Sequence, residues 1–388
     1  MFKQILEISV MNLRNLPSRL GSSSVIVVGI AGVVGVLIAI LSMAVGFATT
    51  LDRGGEEDRG IILRGGTAQG ELTSNIDTRR MLYVGTLDGV ELSSAEVYMV
   101  ADIPKRSNLS PANVVIRGVE QDAFAIRPEI NIIEGRNFET GRNELIAGRS
   151  ASREFVGIDL GAEVNLRNSD WTIVGIFGAN GSAYESELWA DMPTTQSAFQ
   201  RQGAVNSMRV KVSDPAEIAT LQETFDANPQ VDLQITSEEE FFSSQSEQLS
   251  TLISSFGYAV AAIMAIGAVF AALNTMYSAV ATRTVEIATL RALGFGALPV
   301  VVSVMIEAIV LALMGGVLGA AIAYFGFNGY TASTLNQGSF SQVAFDFAVT
   351  PQLIQSGIIW ALGLGVIGGL FPAVRAARLP ITVALRGE

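Results

Sequence analysis

The residue types that most often carry catalysis or metal binding are scarce in this chain. Histidine and cysteine are absent, which excludes thiol nucleophiles, Ser-His-Asp triads, disulfides and Cys/His zinc sites. The lysines are Lys3, Lys105 and Lys211, and none follows a glycine, so the Gly-x-x-x-x-Gly-Lys-Ser/Thr loop that cradles nucleotide phosphates is missing. Acidic residues are numerous but scattered and predict no metal cluster. We therefore expect a non-enzymatic chain that binds no cofactor directly.

One short segment has charged and apolar residues at helical spacing. It reads RTVEIATLRALGF, and we call it the coupling segment. The residues that set its pattern are Arg283, Glu286, Ile287, Leu290, Arg291, Leu293 and Gly294. The pattern predicts a short amphipathic helix that ends at the glycine, rests its apolar side on a membrane face and presents its polar side to a soluble partner.

A second chemical candidate is Glu307, the single charge between Ala292 and Phe345. If a helix begins near Pro299, this carboxylate lies about 12 Å along it, where a charge is costly unless it is paired. Two interpretations are open. Glu307 contacts an ion or a substrate, or it forms a structural hydrogen bond with a neighbouring helix, for example with Asn274 or Thr275.

The elements around these residues are long and apolar. Hydrophobic residues make up 49% of the chain and charged residues only 16%, and the charges avoid four long blocks. Because a spanning helix needs about 20 apolar residues, we predict transmembrane helices at 21–51, 248–281, 299–327 and 351–373. Glycines at helical spacing in the first and third spans predict close helix packing: Gly29, Gly32, Gly35, Gly315, Gly316 and Gly319.

The distribution of charge predicts the orientation. Residues 52–247 hold 17 Lys+Arg against 32 Asp+Glu, whereas residues 1–20, 281–297 and 374–388 each have a small positive net charge. Lys and Arg are retained on the cytoplasmic side. We therefore predict a multi-pass membrane protein with both termini cytoplasmic and the long acidic segment outside.

The acidic segment has alternating apolar residues typical of strands and one helix start at Asp214–Glu217. Segments 207–213 and 231–236 flank this helix, which predicts a β–α–β unit. A second helix start at Ser237–Glu240 and the absence of proline up to Leu298 predict one long helix over 237–281. Two helices broken near Gly257 are the alternative.

The predicted fold is that of a membrane protein with four transmembrane α-helices and a large α+β extracytoplasmic domain inserted between helices 1 and 2. Besides the spans, the predicted parts are a cytoplasmic amphipathic helix (1–20), the extracytoplasmic, periplasmic domain ending in a helical stalk (52–247), a coupling helix (282–298), a short extracytoplasmic loop (328–350) and a cytoplasmic tail (374–388).

The coupling segment resembles the pattern R-x-x-E-I-x-x-L-R-A-L-G of the MacB/FtsX-type ABC transporter permeases, which include the LolC/LolE proteins. Leu13–Leu16, Glu307 with the glycines after it, and the tail Phe371–Arg386 match the same family. The resemblance implies that the coupling segment seats in a groove of an ATPase. Because the family has a glutamate at the place of Glu307 across differing substrates, we favour its structural interpretation.

The resemblance also implies the function: a permease subunit that works by mechanotransmission and exports or extracts a hydrophobic or lipidated substrate. It places the chain in the bacterial inner membrane, in contact with lipid. The implied partners are two copies of a separate ATPase, which bind ATP and Mg, and a second permease copy or paralogue. A periplasmic adaptor protein is left open, and no nucleic-acid partner is expected. The alternative is an FtsX-like regulator that activates an extracytoplasmic partner such as a cell-wall hydrolase.

Overall fold

The computed structural model describes residues 2–14, 20–66, 70–167, 169–228, 230–336, 338–378 and 380. The chain divides into two compact units. We call the first the helix unit; it comprises Met1–Val45, Thr251–Tyr330 and Phe347–Glu388. We call the second the sheet unit; it comprises Gly46–Ser250 and Thr331–Asp346.

The helices of the described residues follow the chain in this order: α1 (Phe2–Arg14), α2 (Leu20–Asp52), α3 (Thr78–Val84), α4 (Asp122–Ile126), α5 (Arg149–Glu154), α6 (Met192–Ala198), α7 (Ala216–Asp226), α8 (Glu238–Thr282), α9 (Thr284–Ala292), α10 (Ala297–Phe327) and α11 (Pro351–Arg378). Short 3-10 helices lie at Glu71–Thr73 and Ala183–Ser186.

The strands are β1 (Arg59–Arg64), β2 (Ile76–Asp77), β3 (Val90–Pro104), β4 (Pro111–Val119), β5 (Asn131–Gly135), β6 (Glu144–Gly148), β7 (Glu163–Leu166), β8 (Ser169–Gly178), β9 (Leu188–Asp191), β10 (Ala204–Val205), β11 (Ser207–Val212), β12 (Leu233–Ser237), β13 (Thr331–Asn336) and β14 (Ser341–Asp346).

The sheet unit is built on one ten-stranded sheet in the order β12-β1-β11-β3-β4-β9-β6-β8-β5, with β7 paired to β8. The predicted β–α–β unit is present as β11, α7 and β12, but β1 lies between its two strands and pairs antiparallel with both. The α+β class predicted for this domain is therefore confirmed.

Strand alternation gives this sheet two different faces. On β3, Ala95, Val97 and Met99 point into a large hydrophobic core, whereas the alternate residues Glu96 and Tyr98 are buried on the opposite face. This follows from the period of two in a strand, which sends successive side chains to opposite sides. The second face carries the charged groups described below.

Four of the described helices are long and apolar enough to cross a membrane: α2, α8, α10 and α11. Helix α8 runs through Gly257 without a break, so the alternative of two helices is wrong. A Cβ on Gly257 would lie 2.8 Å from Cγ2 of Ile40. This glycine therefore serves the close approach of α2 rather than a break in α8.

Two predicted boundaries need correction. Helix α11 continues through Pro372 to Arg378, five residues beyond the predicted end of the span. The segment predicted as a loop over 328–350 contains an antiparallel hairpin of β13 and β14, which belongs to the sheet unit. Residues 15–19 and 381–388, which include parts of the predicted N-terminal helix and tail, lie outside the described residues.

Small residues set the packing inside the helix unit, as predicted. A Cβ on Gly319 of α10 would lie 2.5 Å from the carbonyl oxygen of Ala31 and 3.0 Å from the amide nitrogen of Gly35, both on α2. The backbones of α2 and α10 therefore touch at this point. Such close approach provides the van der Waals contact that holds helices together in lipid, where apolar burial gives no net drive.

We expect Gly319→Leu to lower the thermal stability of the full chain in detergent, at a cost of about 1–3 kcal/mol, because the side chain must push α2 and α10 apart. Gly326→Leu in the same helix is the matched control, since a Cβ at Gly326 meets no atom within 4 Å. Equal melting temperatures for the two variants would contradict the packing assignment.

Candidate functional site

The coupling segment folds as the short helix α9, directly after α8. Its end is a Schellman motif: the amide of Phe295 donates to the carbonyl of Leu290, and the amide of Gly294 donates to the carbonyl of Arg291. Gly294 has a φ of 95°, a conformation that only glycine adopts at low cost. The glycine therefore ends the helix as predicted, and the chain turns into α10.

The predicted residues of α9 do not all point as expected. Ile287 is buried and Leu290 is half-buried, whereas Leu293 is 73% exposed and lies outward with Glu286 and Gly294. The side chain of Arg291 donates to the carbonyl oxygen of Ala377 on α11 at 2.9 Å. The free face of α9 is therefore mixed, because the acid Glu286 lies beside the exposed apolar side chains of Val285 and of Leu293, the residue that follows the helix.

Arg283 requires the main correction at this site. Its guanidinium turns inward, where Nη1 lies 2.9 Å from Oε2 of Glu307, and the two side chains are 6% and 5% exposed. Arg283 is thus not on the partner-facing side. Glu307 makes a contact of the kind that its structural interpretation requires, but with Arg283 rather than with Asn274 or Thr275. The Thr275 hydroxyl donates to Ala271 of its own helix.

The physical reason is the cost of a buried charge. A carboxylate away from water is stabilised far better by a cation within hydrogen-bond distance than by a neutral amide or hydroxyl. An arginine at the turn between α8 and α9 has the reach to supply that cation. Glu307 is buried within α10, and the sequence separation of 24 residues from Arg283 concealed its partner.

A second polar group of residues, on the charged face of the sheet unit, was not predicted. We call it the buried ion-pair cluster. It contains four arginines and four glutamates, all less than 9% exposed: Arg59, Arg117, Arg127, Arg209, Glu71, Glu96, Glu187 and Glu238. The numbers of positive and negative charges are equal, and each buried charge needs an opposite charge beside it to offset its desolvation cost. The cluster is therefore stable only when all of its members are present.

Arg117 on β4 is the centre of this cluster. Its nitrogens lie 2.8 Å from Glu71, 2.7 Å from Glu96 and 2.7 Å from Glu187. Arg127 pairs with the second oxygen of Glu96. Its guanidinium also lies over the ring of Trp189, 4.8 Å from the centroid. Charge-assisted hydrogen bonds and cation–π contacts stabilise these buried groups, although Nε and Nη1 of Arg127 have no hydrogen-bond partner among the described residues.

The cluster reaches the first residue of the long helix α8. Glu238 is fully buried, with its carboxylate oxygens 3.1 Å from Nε of Arg59 on β1 and 3.4 Å from Nε of Arg209 on β11. An acidic residue at a helix N-terminus is also favoured by the helix dipole. These contacts fasten the start of α8 to two neighbouring strands of the sheet.

The sequence carried a signal for this cluster. In strands that are otherwise apolar, Glu96, Arg117 and Arg209 occur at the alternate positions that do not face the hydrophobic core. Charged residues in the middle of buried strands are rare unless they are paired. The pairing itself depends on strand order, which the sequence alone does not reveal.

The charges in the cluster perturb one another. Burial by itself would raise the pKa of Glu71, but the positive charges of Arg117 and Arg209 outweigh it and lower the pKa to about 2. Burial, followed by the charge of Glu187, raises the pKa of the Tyr98 hydroxyl. Among the described residues no group of acidic side chains is arranged to hold a metal ion.

We expect the sheet unit to lose stability in acid. The pKa of Glu71 is depressed, so its contribution is present above its ordinary pKa of about 4.5 and is lost as the pH falls through about 2. Fluorescence unfolding of the full chain in detergent, with Trp171→Phe and Trp360→Phe, isolates Trp189, whose indole donates to Glu187. An unfolding free energy that stays constant between pH 5 and about pH 2.5, where a depressed carboxyl pKa should destabilise the fold, would contradict the role of Glu71.

We expect Glu307→Gln to destabilise the helix unit by about 3–5 kcal/mol, because it leaves Arg283 buried without a counter-charge. The double variant Arg283→Met/Glu307→Met removes both charges and should recover most of the loss. The measurement is thermal unfolding of the full chain in detergent. A double variant as unstable as the single one would contradict the pair as the cause.

Two family models match the chain. The MacB-like periplasmic core domain matches residues 23–228, and the FtsX-like permease C-terminal matches residues 258–381. The first model alone covers more than half of the chain. Together they account for the large domain and for the membrane helices that follow it.

Curated relatives agree with these models. An uncharacterized ABC transporter permease of Methanocaldococcus jannaschii is 25% identical over 239 residues, which are 60% of this chain and 58% of that protein. The macrolide export ATP-binding/permease protein MacB of Escherichia coli is 26% identical over 288 residues, which are 70% of this chain and 43% of that protein. The chain thus spans less than two thirds of the length of each.

A solved structure of the periplasmic region of MacB from Actinobacillus actinomycetemcomitans aligns with a TM-score of 0.37 and 13% identity, covering 48% of this chain and 92% of that one. The family assignment comes from the sequence models and the curated relatives. With four membrane-spanning helices and a large domain between the first and the rest, the chain belongs to the family of MacB/FtsX-type ABC transporter permeases.

Proposed function

We propose that this chain is the permease subunit of an ABC transporter that works by mechanotransmission. The observation that supports this most directly is helix α8, which is continuous over its 45 residues from the buried ion-pair cluster to the residue before Arg283. At 1.5 Å per residue it is about 68 Å long, roughly twice the thickness of the hydrocarbon core of a membrane. A helix of this length can carry a displacement across the bilayer.

The proposed orientation follows from charge. Short segments with an excess of Lys and Arg lie at residues 1–20, at residues 281–297 around α9 and at residues 374–388, which begin within α11. The acidic residues 52–247 belong to the sheet unit. Under the positive-inside rule the sheet unit is extracytoplasmic and α9 is cytoplasmic. In the proposed mechanism α9 receives the force and the sheet unit delivers it.

The proposed partner at α9 is an ATPase that binds ATP and Mg and lies outside this sequence. The Escherichia coli relative is named as an ATP-binding and permease protein, and this chain aligns with 43% of it. The exposed residues Glu286 and Leu293, with the Gly294 turn, provide one charged and one apolar contact for such a partner. A pair of permeases with two ATPases completes the proposed assembly, and an adaptor protein is a further proposed component.

The proposed substrate is hydrophobic or lipidated and is handled on the extracytoplasmic side. In the apolar cores of the four spanning helices the described charged residue is Glu307, and it is neutralised by Arg283. Paths for ions or polar solutes usually need several ionisable groups within the membrane. The near absence of charge favours handling of the substrate outside the bilayer core. The macrolides named for the Escherichia coli relative belong to the proposed class of hydrophobic substrates.

A second candidate function uses the same machine without transport. The match of residues 258–381 to the FtsX-like permease C-terminal favours it equally, because that region contains α9 and the last two spans. In this case the sheet unit would switch an extracytoplasmic partner such as a cell-wall hydrolase. Capture of a hydrolase rather than a transported molecule by the full complex would select this alternative.

We expect Glu286→Lys and Leu293→Asp to release the ATPase and abolish stimulation of ATP hydrolysis while the permease stays folded, because both residues lie on the free face of α9. Glu91→Lys, an equal charge reversal at an exposed position of β3, is the matched control. Co-purification of the ATPase and its hydrolysis rate are the measurements. Retained binding and stimulation in both α9 variants would overturn the coupling role.

A further inference from the structure

The hairpin of β13 and β14 is a well-paired element between α10 and α11. Its register runs from Thr331 opposite Asp346 to Asn336 opposite Ser341. The pairing continues toward the helix ends, where the amide of Phe347 donates to the carbonyl of Tyr330 and the amide of Gly329 donates to the carbonyl of Phe347. This connection is therefore paired from Gly329 to Asn336 on one side and from Ser341 to Phe347 on the other.

Within the sheet unit the hairpin is fixed by hydrogen bonds to Lys105, the residue after β3, and to residues of β4 and α5. Nζ of Lys105 donates to the hydroxyl of Ser333 at 2.8 Å and to Oε1 of Gln342 at 3.0 Å. The same Ser333 hydroxyl donates to Glu154 at 2.8 Å, and Nδ2 of Asn113 donates to the carbonyl of Phe340 at 2.9 Å. Lys105 thus bridges both strands of the hairpin to the sheet.

The hairpin also contacts α8 close to the buried ion-pair cluster. Nδ2 of Asn336 donates to Oε1 of Gln245 at 3.0 Å, and the Tyr98 hydroxyl donates to the carbonyl of Ser339 at 3.1 Å. Asn336 and Ser341 are 3% and 2% exposed. Buried hydrogen bonds of this kind are costly to break singly, so the hairpin is held as part of the sheet unit.

The chain passes between the two units four times: after Val45, Ser250, Tyr330 and Asp346. The first two passages are in α2 and α8, and the last two are the arms of the hairpin. We propose that the docked hairpin is a second force-transmitting connection, through which α10 and α11 act on the sheet unit beside Gln245 of α8. Lys105 is the positioning residue of this connection.

This inference rests on the proposed mechanotransmission and adds a route to it. An unpaired loop of similar length would absorb a displacement of α10 or α11 by changing its backbone angles. A hairpin with a complete ladder and buried contacts resists such deformation. The side chain that holds both strands is therefore expected to determine whether movement of the last two spans reaches the sheet.

The test uses the full chain in complex with its co-purified ATPase. The chain contains no cysteine, so the variant Lys105→Cys/Ser333→Cys with Asn336→Ala carries only two thiols and lacks the main docking contacts. Hydrogen–deuterium exchange of the sheet unit is compared without nucleotide and after trapping with ATP and orthovanadate. The same protein is then bridged between its two thiols with a short bis-maleimide and measured again.

We expect wild-type exchange in the sheet unit to change on trapping, the thiol variant to lose that change while still hydrolysing ATP, and bridging to restore it. Thr331→Cys/Asp346→Cys, which joins the two arms within the hairpin, is the control and should respond as wild type. A full response in the unbridged variant, or a loss that bridging does not reverse, would overturn the hairpin proposal alone. No change in wild type would overturn the proposed mechanotransmission itself.

Discussion

The ion pairs of Glu238 with Arg59 and Arg209 are the constraint on which the rest of the sheet unit depends. A fully buried carboxylate costs several kcal/mol of desolvation unless cations lie close to it. Here the cations come from β1 and β11, two neighbouring strands of the sheet. The first turn of α8 is therefore stabilised where β1 and β11 lie side by side, and α8 begins at that place on the sheet.

Different forces stabilise the interior of each unit. The sheet unit has a hydrophobic core on one face and paired charges on the other, so it gains from removal of apolar surface from water. The helix unit has no such gain in lipid and relies on backbone contacts at small residues, such as Gly35 with Gly319. In that setting the ion pair of Arg283 with Glu307 connects the turn before α9 to the interior of α10.

This division suits the proposed mechanism. Contacts between small residues allow helices to shift against one another at modest cost, whereas the buried ion-pair cluster keeps its geometry because every member loses its partner if one moves. Force arriving at α9 would then be delivered to the sheet through α8 with little loss. In the proposed mechanism the hairpin gives α10 and α11 a corresponding attachment to the same sheet.

The spans, the inserted α+β domain, the unbroken α8 and the glycine that ends α9 were predictable from the sequence, because they follow from local apolar length, alternation, proline absence and helix termination. The family was recognisable from the coupling segment for the same reason, since its pattern is local. The ATPase-facing role of Glu286 and Leu293 stays a prediction. The inward turn of Arg283 was not foreseen, because its partner Glu307 is 24 residues away on another helix.

Only the tertiary structure decided which charges meet. Glu71, Glu96, Arg117, Arg209 and Glu238 come from separate elements. Strand order, together with the placement of a 3-10 helix and of the start of α8, brings them together on one face of the sheet. The hairpin over 331–346 was predicted as a loop because its short, partly polar strands carry a weak local signal. Its pairing is stabilised by docking onto β3, β4 and α8, and such long-range contacts leave no periodic trace in the sequence.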